Sequence, residues 1–312
     1  MELIKCFKAL SDKTRLRLFC VLHHYELNVN EIVQVVDMIQ SGVSRHLKIL
    51  MESGLLTSRK DGSYTYYSTV HNDIISAVIG LVDMSVEKHD YIARDLKRAG
   101  EMIRIRQTRA QRFFKTIAPR WDRLKKEVLG NFDLNAEIEK KISFTGKTAD
   151  LGCGTGELIE RLSSRTQFQI IGIDSSPEML EQSRLKLSGI ENAQLRLGEL
   201  EHLPMQDQEI DTAVMNMVLH HIVRPEQTVK EAFRVLRPGG QFILSDFAKH
   251  DMEKIKDILG GLWLGFEKSR VAAWLKDAGF SIYSVDSHDV DHGLTINVFT
   301  AQKPMKDTKE VA

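Results

Sequence analysis

The sequence predicts an α/β protein in two parts: a small N-terminal α+β unit of helices closed by a hairpin, and an open, mostly parallel sheet covered by helices on both faces. Three observations predict this. Residues 3–50 carry apolar positions at helical spacing, and a tight-turn signal, Asp61-Gly62, follows between two extended segments. From residue 146 short apolar runs alternate with helical patterns, as parallel strands joined by crossover helices do. The 312 residues, 42% of them hydrophobic, are about twice a typical domain and can bury more than one core.

Charge divides along the same line. Residues 1–130 hold 22 Lys/Arg against 15 Asp/Glu, whereas residues 131–312 hold 21 against 28, so a polyanion is expected to meet the front part. Cys6, Cys20 and Cys153 are too scattered for a disulfide framework, and the start Met-Glu-Leu-Ile-Lys has no charged-then-apolar leader, so a cytoplasmic, reduced protein is expected. Apolar stretches such as residues 77–82 fall far short of the roughly 20 residues that span a bilayer, and no membrane segment is expected.

Within residues 3–22, Leu3, Phe7, Leu10, Leu16, Phe19 and Leu22 predict two helices punctuated by Ser11-Asp12. A third apolar run covers residues 30–36. In residues 41–50, Val43, Leu47 and Leu50 share an inward face, leaving Ser41, Ser44, Arg45 and Lys48, with His46 beside them, for base edges and phosphates. The segments 55–60 and 63–68 read as a two-stranded wing whose Arg59 and Lys60 would reach the backbone of adjacent DNA.

Val43-Ser44-Arg45-His46-Leu47-Lys48-Ile49-Leu50, then Ser53-Gly54-Leu55-Leu56, Gly62 and Tyr66-Tyr67-Ser68, resemble the ArsR/SmtB family of winged-helix repressors over about the first 100 residues. The resemblance implies a homodimer paired through the helices at the two ends of the domain, bound to a palindromic double-stranded DNA operator. Many members sense metal through a Cys-Val-Cys where this chain has Asn28-Val29-Asn30. Two carboxamides do not replace thiolates for soft or borderline ions, so no metal is expected. His71, Asp83 and His89 read as surface residues rather than as a second ligand set.

The predicted organisation is a DNA-binding and dimerisation domain at 1–98, a helical connector at 99–130, a sheet domain at 131–302 and a flexible tail at 303–312. The connector is densely basic. Arg104, Arg106, Arg109 and Arg112 read as a solvated helix face, with contact to DNA or a partner subunit as the other option. Phe113-Phe114 and Ala118-Pro119-Arg120-Trp121-Asp122 resemble the lid before many methyltransferase cores.

In the sheet domain, residues 148–151 form the first strand, Leu151-Gly152-Cys153-Gly154-Thr155-Gly156 the turn, and residues 157–164 the helix. Asp150 just ahead of that turn would repel a pyrophosphate and draw an ammonium, which favours S-adenosylmethionine over a dinucleotide. Gly152, Cys153, Gly154 and Gly156 would let the backbone approach it. Eighteen residues past Gly156, a strand ends in Asp174, where two ribose hydroxyls would donate to one carboxylate; Ser175 and Met179 follow in the same pocket. Residues 195–200 read as a third strand with Glu199 and Leu200 near the adenine, and residues 210–216 as a fourth that ends in Asn216. His220 and His221 follow as either a base for an acceptor hydroxyl or a packing pair, the second being the expectation.

Asp150–Gly156, Asp174, Gly198-Glu199-Leu200-Glu201-His202-Leu203-Pro204, Val218-Leu219-His220-His221 and Arg234-Val235-Leu236-Arg237-Pro238-Gly239-Gly240 resemble class I S-adenosylmethionine-dependent methyltransferases over residues 110–302. That resemblance implies a Rossmann-like seven-stranded sheet ending in an antiparallel hairpin, here residues 279–285 and 295–301. Glu199 stands where relatives often carry a shorter Asp. A thiol-rich acceptor site for arsenite is not expected, because Cys153 alone lies in this domain. The fusion resembles the S-adenosylhomocysteine-responsive ArsR-type regulators of the methionine cycle. It implies a transcriptional regulator whose rear domain binds S-adenosylhomocysteine or S-adenosylmethionine as effector. The alternative is an active methyltransferase with a DNA-binding domain for autoregulation.

Overall fold

The computed structural model describes residues 3–70, 72–86 and 90–305. It comprises two compact units, Met1–Gln107 and Thr108–Ala312. The division falls inside a single helix.

The first unit runs α1 (Leu3–Leu10), α2 (Lys13–His24), β1 (Leu27–Asn28), α3 (Val29–Val36), α4 (Gln40–Glu52), β2 (Leu56–Asp61), β3 (Tyr64–Thr69), α5 (Asp73–Val86) and the start of α6 (Asp90–Ile117). Asp12 opens α2 by accepting from the Arg15 amide at 2.9 Å. Asn28 and Glu31 cap α3 reciprocally: the Asn28 amide donates to Glu31 at 2.9 Å and the Glu31 amide to Asn28 at 3.1 Å. The Asn28 that stands in place of a metal-binding cysteine therefore starts a helix. Asp37 ends that helix in the left-handed region (φ 55°) and turns the chain into α4. Phe19, Leu22, Ile32, Leu47 and Leu50 are fully buried and form the core.

β1, β3 and β2 form a small sheet in that order. Asp61 pairs with Tyr64, so the hairpin turns at Gly62-Ser63, one residue later than Asp61-Gly62 suggests. Gly62 supplies the positive φ of 57°. Asp61 belongs to the strand because its carboxylate is buried and accepts from Arg59 at 3.3 Å. Polar composition at this position marks an ion pair, not a loop.

The first part of α6 is pinned to the rest of the unit by charge. Arg17 donates to both oxygens of Asp95, at 2.6 and 2.9 Å. Arg106 donates to Glu31, at 2.8 Å through Nε, and to the Glu26 carbonyl at 3.2 Å. Of the connector arginines, Arg106 is therefore part-buried and paired, while exposed Arg104 pairs with Glu101 on its own helix at 2.7 Å.

The second unit holds the end of α6, a 3-10 turn at Ala118–Arg120, α7 (Trp121–Leu129), α8 (Leu134–Glu139), β4 (Thr148–Leu151), α9 (Glu157–Ser163), β5 (Ile170–Asp174), α10 (Pro177–Lys186), β6 (Ala193–Leu197), β7 (Ile210–Asn216), α11 (Pro225–Val235), β8 (Leu236–Phe247), α12 (Glu253–Leu259), α13 (Lys268–Ala278), β9 (Ser281–Asp289) and β10 (Thr295–Gln302). Its seven-stranded sheet has the order β6-β5-β4-β7-β8-β10-β9. The first five strands are parallel, and β10 runs antiparallel to both β8 and β9. The third strand ends at Leu197, three residues before the expected boundary, so Glu199 and Leu200 lie in the loop after it. The last hairpin is longer than residues 279–285 and 295–301 indicated, because the ladder continues to Asp289.

β4 is buried along its whole length, which is why it reads as a compact strand rather than as an alternating one. Gly172 in β5 is the close-approach point: a Cβ there would stand 2.8 Å from Leu195 and 2.9 Å from Cys153 Sγ. Strand order reverses between β4 and β7, and open α/β sheets leave a crevice beyond the strand ends at such a switch. Among the described residues no helix is long and apolar enough to cross a membrane.

All three tryptophans, Trp121, Trp263 and Trp274, lie in the second unit, so its unfolding and that of the first can be read separately. Replacing Arg17 by Ala strands the nearly buried Asp95 carboxylate and is expected to cost the first unit about 3 kcal/mol. Far-ultraviolet dichroism during denaturation should show an early transition, with the tryptophan fluorescence midpoint unchanged.

Candidate functional site

The turn between β4 and α9 is shaped by its backbone. The Gly152 and Cys153 amides donate to the Ile173 carbonyl at 2.7 and 3.0 Å, tying the turn to β5. The Gly154 amide donates to Asp174 Oδ2 at 2.9 Å, and the Ser176 amide to Oδ1 at 2.8 Å. Asp174 thus stands at the turn, as its spacing predicts. Each oxygen keeps a second lone pair for a ligand hydroxyl. Gly152, Gly154 and Gly156 all have positive φ, from 52° to 83°. At Gly152 a side chain would collide with Val218, 2.5 Å from the added Cβ, so the loop after β7 closes on the turn.

Burial raises the Asp150 carboxyl to about 7, opposed by the positive charge of Lys125 and reinforced by Asp174. One of its oxygens, Oδ1, is buried without a hydrogen-bond partner. An unpaired carboxylate beneath a glycine turn fits a ligand ammonium, since pairing removes the penalty. Burial also pushes Asp174 up, despite its backbone donors, and Glu199 adds to that shift. Glu199 is itself pushed up by partial desolvation; it faces Gln111, whose amide donates at 3.4 Å.

The other predicted pocket residues divide. Leu200 is buried beside the exposed Glu199. Ser175 is partly exposed next to Asp174. Met179 is buried in the first turn of α10, where its amide donates to Ser176 Oγ at 3.2 Å. Cys153 offers only its backbone, because its thiol packs into the core opposite Gly172 and burial pushes it well above the ordinary range. Asn216 lies in a polar chain, donating to Asn135 and accepting from Ser245, both at 2.9 Å. It lines a cavity of about 580 Å³ with Lys125, Asn135 and Glu157.

α7 lies against this turn. The Trp121 indole is 3.6 Å from where a Gly154 Cβ would stand. Thr155 donates to Asp122 at 2.5 Å, and Lys186 pairs with the other Asp122 oxygen at 2.5 Å. Phe114, Trp121 and His221 pack edge to face at 4.8 to 5.9 Å between centroids. The lid resemblance rested on Phe113-Phe114 and Ala118-Pro119-Arg120-Trp121-Asp122; the sequence gives no sign that Thr155 and Lys186 are the partners of Asp122.

A second group is less legible. His220 follows β7, and Asp246 sits near the end of the neighbouring strand β8, where Asn216 pairs with Ser245. His220 Nδ1 lies 2.8 Å from Asp246 Oδ1, and the His220 amide donates to Oδ2 at 3.3 Å. With Asp246 as a carboxylate, Nδ1 is the ring nitrogen that donates in this pair. Nε2 is buried without a hydrogen-bond partner. His220 faces a small slot with Trp121, Lys125, Met217 and Phe247. His221 stacks on it at 3.9 Å, and burial with the neighbouring His220 holds the His221 ring well below the usual imidazole range. Met217, just before the pair, takes a left-handed φ of 59°, strained for a side chain of that size. Asp246 escaped the sequence reading because only the strand register brings it to His220.

In the first unit, Ser41, Ser44, Arg45 and Lys48 are exposed on α4, opposite the buried Val43, Leu47 and Leu50. Lys48 lies 3.9 Å from Glu52, both exposed. Two expected DNA contacts are placed otherwise. His46 is 14% exposed and turns toward Asp12, 3.8 Å away. Arg59 is 18% exposed and bound to Glu26 at 2.7 Å, over the Tyr66 ring, so the wing tip keeps exposed Lys60 alone of the expected pair. The front charge excess also moves: Met1–Gln107 holds 15 Lys/Arg against 13 Asp/Glu, and the surplus sits on residues 108–130 of the second unit. Among the described residues no cluster of His, Cys, Asp and Glu could hold a metal. His71 and His89, and the side chain of Asp83, lie outside the described residues, as do residues 306–312 of the expected tail.

Comparison with known proteins agrees with the two units. Residues 12–58 match the family model for bacterial regulatory proteins of the arsR family, and residues 149–244 match a methyltransferase domain. The chain is 28% identical over 228 residues to a ubiquinone/menaquinone biosynthesis C-methyltransferase of Geotalea daltonii, covering 62% of this chain and 95% of that one. It is 28% identical to an arsenite methyltransferase of Halobacterium salinarum, over 46% of this chain and 44% of that one. An uncharacterised 37.1 kDa transposon protein of Streptomyces fradiae is 33% identical over 44% of each chain, so the match spans less than half of two of these relatives. In fold, the second unit is similar to a chain of the Haloferax volcanii Trm112–methyltransferase complex, with a TM-score of 0.52, 17% identity and coverage of 61% and 97%. A phosphoethanolamine methyltransferase of Haemonchus contortus, solved with S-adenosylhomocysteine, gives 0.50 at 15% identity, with coverage of 57% and 54%. One polypeptide thus joins a segment that matches the arsR-family regulatory model to a segment that matches a methyltransferase domain.

Proposed function

We propose that the second unit is an active S-adenosylmethionine-dependent methyltransferase for a small acceptor with an acidic proton, and that the first unit binds double-stranded DNA as a dimer. The observation that carries the enzymatic reading is the His220–Asp246 pair, whose Nε2 is buried without a hydrogen-bond partner in a residue that lines a small slot with Trp121 and Lys125. S-adenosylmethionine supplies an electrophilic methyl group on sulfur. Asp174 accepts from the ribose hydroxyls, Asp150 faces the ammonium, and Glu199 with Leu200 borders the adenine. Asp246 holds His220 in the tautomer that takes the acceptor's proton, and α7 with Trp121 excludes water. Proximity supplies the rest, since methyl transfer needs no protein nucleophile. Arsenite is disfavoured as acceptor because the thiol of Cys153 is packed in the core, and Cys6 and Cys20 are buried in the other unit.

A second reading uses the same pocket as an effector site, with S-adenosylhomocysteine shifting DNA affinity. What supports it is that the two units share α6. It requires unequal ligand affinity for the operator-bound and released states. An operator titration at fixed salt, with and without S-adenosylhomocysteine, decides it: unchanged affinity removes the reading.

For the pocket, calorimetry should show S-adenosylhomocysteine binding that strengthens as pH rises from 6 to 8. Below its raised value of about 7, Asp150 must lose a proton to meet the ammonium, so affinity falls on the acid side. Asp150→Asn should bind about tenfold more weakly at pH 8, with little pH dependence.

For the chemistry, His220→Ala should lower kcat for methylation of phenol or quinol acceptors about 100-fold or more, read as S-adenosylhomocysteine release, with its binding constant unchanged. Equal activity would return His220 to a packing role.

For assembly, α1 exposes Leu3, Ile4 and Phe7 at 50 to 69%, and α5 exposes Ile74 and Leu81 at 41 and 62%. Ile4→Glu with Leu81→Glu should convert a dimer to a monomer in sedimentation and weaken operator binding.

A further inference from the structure

The amino-acid end of an adenosyl-sulfur ligand carries an ammonium and a carboxylate, and the acidic residues at the glycine turn account for the first alone. A carboxylate entering so acidic a place needs a cation. Among the described cations lining the cavity of about 580 Å³, Arg123 is 80% exposed and paired with Glu127, and Arg161 is bound to Asp133 and Glu139. Lys126 is exposed. Lys125 differs from them. Its side chain is 19% exposed, on the face of α7 that carries Trp121 against Gly154 and Asp122 against Thr155. It borders both the larger cavity and the slot at His220. Its ammonium meets Glu157, the residue that follows Gly156, and that carboxylate is 41% exposed.

We propose that Lys125 holds the α-carboxylate of S-adenosylmethionine or S-adenosylhomocysteine, exchanging Glu157 for it, and thereby selects whole amino-acid ligands over nucleosides that lack this arm. The inference rests on the adenosyl reading of the pocket. The exchange replaces one carboxylate by another at the same ammonium, and Glu157 is exposed enough to return to water at little cost. Placing cation and anions together lets the site recognise a zwitterion, with Asp150 on one charge and Lys125 on the other.

The test is calorimetry of the full chain with two probes, S-adenosylhomocysteine and 5′-methylthioadenosine, the second lacking the amino-acid arm. Lys125→Met, measured about 1.5 pH units above the Asp150 value of about 7 so that this carboxyl is ionised, is expected to weaken S-adenosylhomocysteine at least tenfold and leave 5′-methylthioadenosine unchanged. A loss confined to pH below 7 would place the effect on Asp150 and overturn the proposal. Glu157→Gln frees the ammonium and is expected to strengthen S-adenosylhomocysteine a few-fold, again without effect on the shorter probe. Unchanged S-adenosylhomocysteine binding in Lys125→Met overturns the proposal. So does tighter binding, which would make Lys125 a competitor for the ligand's ammonium site. An equal loss for both probes overturns it in favour of a lid-packing role. Should wild-type protein bind neither probe, the adenosyl reading itself falls, an outcome distinct from the others. If Lys125→Met does not fold, Glu157→Gln decides alone, and an unchanged affinity there overturns the exchange.

Discussion

The carboxylate of Asp174 is the constraint from which the second unit's site is built. It sits at the end of one strand and takes backbone amides from two others' worth of chain, Gly154 in the turn after β4 and Ser176 at the start of α10. Two segments far apart in sequence are thereby fixed at one point beside the switch in strand order. Glycines then supply the conformations that let the turn meet Asp174, and α7 packs on that turn through Trp121 and Asp122.

A cost accompanies this arrangement. Asp150, Asp174, Glu199 and Glu201 are all held above the ordinary carboxylate range, chiefly by burial. Acidic groups so close together oppose one another as well as the loss of solvent. The basic surplus on residues 108–130 answers part of this, since Lys125 meets Glu157, while Asp122 of α7 is itself met by Lys186 on α10. Charge that suggested a polyanion partner for the front half serves in part to hold the lid of the rear one. The DNA contacts expected of the first unit rest instead on a few exposed residues of α4.

Most of the parallel sheet was legible because fully buried strands are short apolar runs that end at punctuation. Residues 148–151 and 210–216 read from the sequence coincide with β4 and β7, and Asp174 ends β5 as its acid suggested. The recognition face of α4 followed from helical spacing alone. What stayed hidden depended on partners. Arg59 and Asp61 look like a solvated turn until Glu26 is brought beside them, and Asp61-Gly62 signals a turn one residue early for the same reason. His220 and Asp246 come together through the parallel register of β7 and β8, which no local pattern encodes. Cys153 lies inside a glycine motif yet faces the core, because Gly172 leaves room for its sulfur.

Glu31 caps α3 and also receives Arg106 from a position 75 residues further along the chain. The helix preceding the DNA-facing one is therefore completed by a residue lying only one position short of the division between the units. Recombination that trims the polypeptide back to the end of the hairpin would discard this brace along with the rear half. The front portion is detachable only together with its share of α6, at least as far as Arg106.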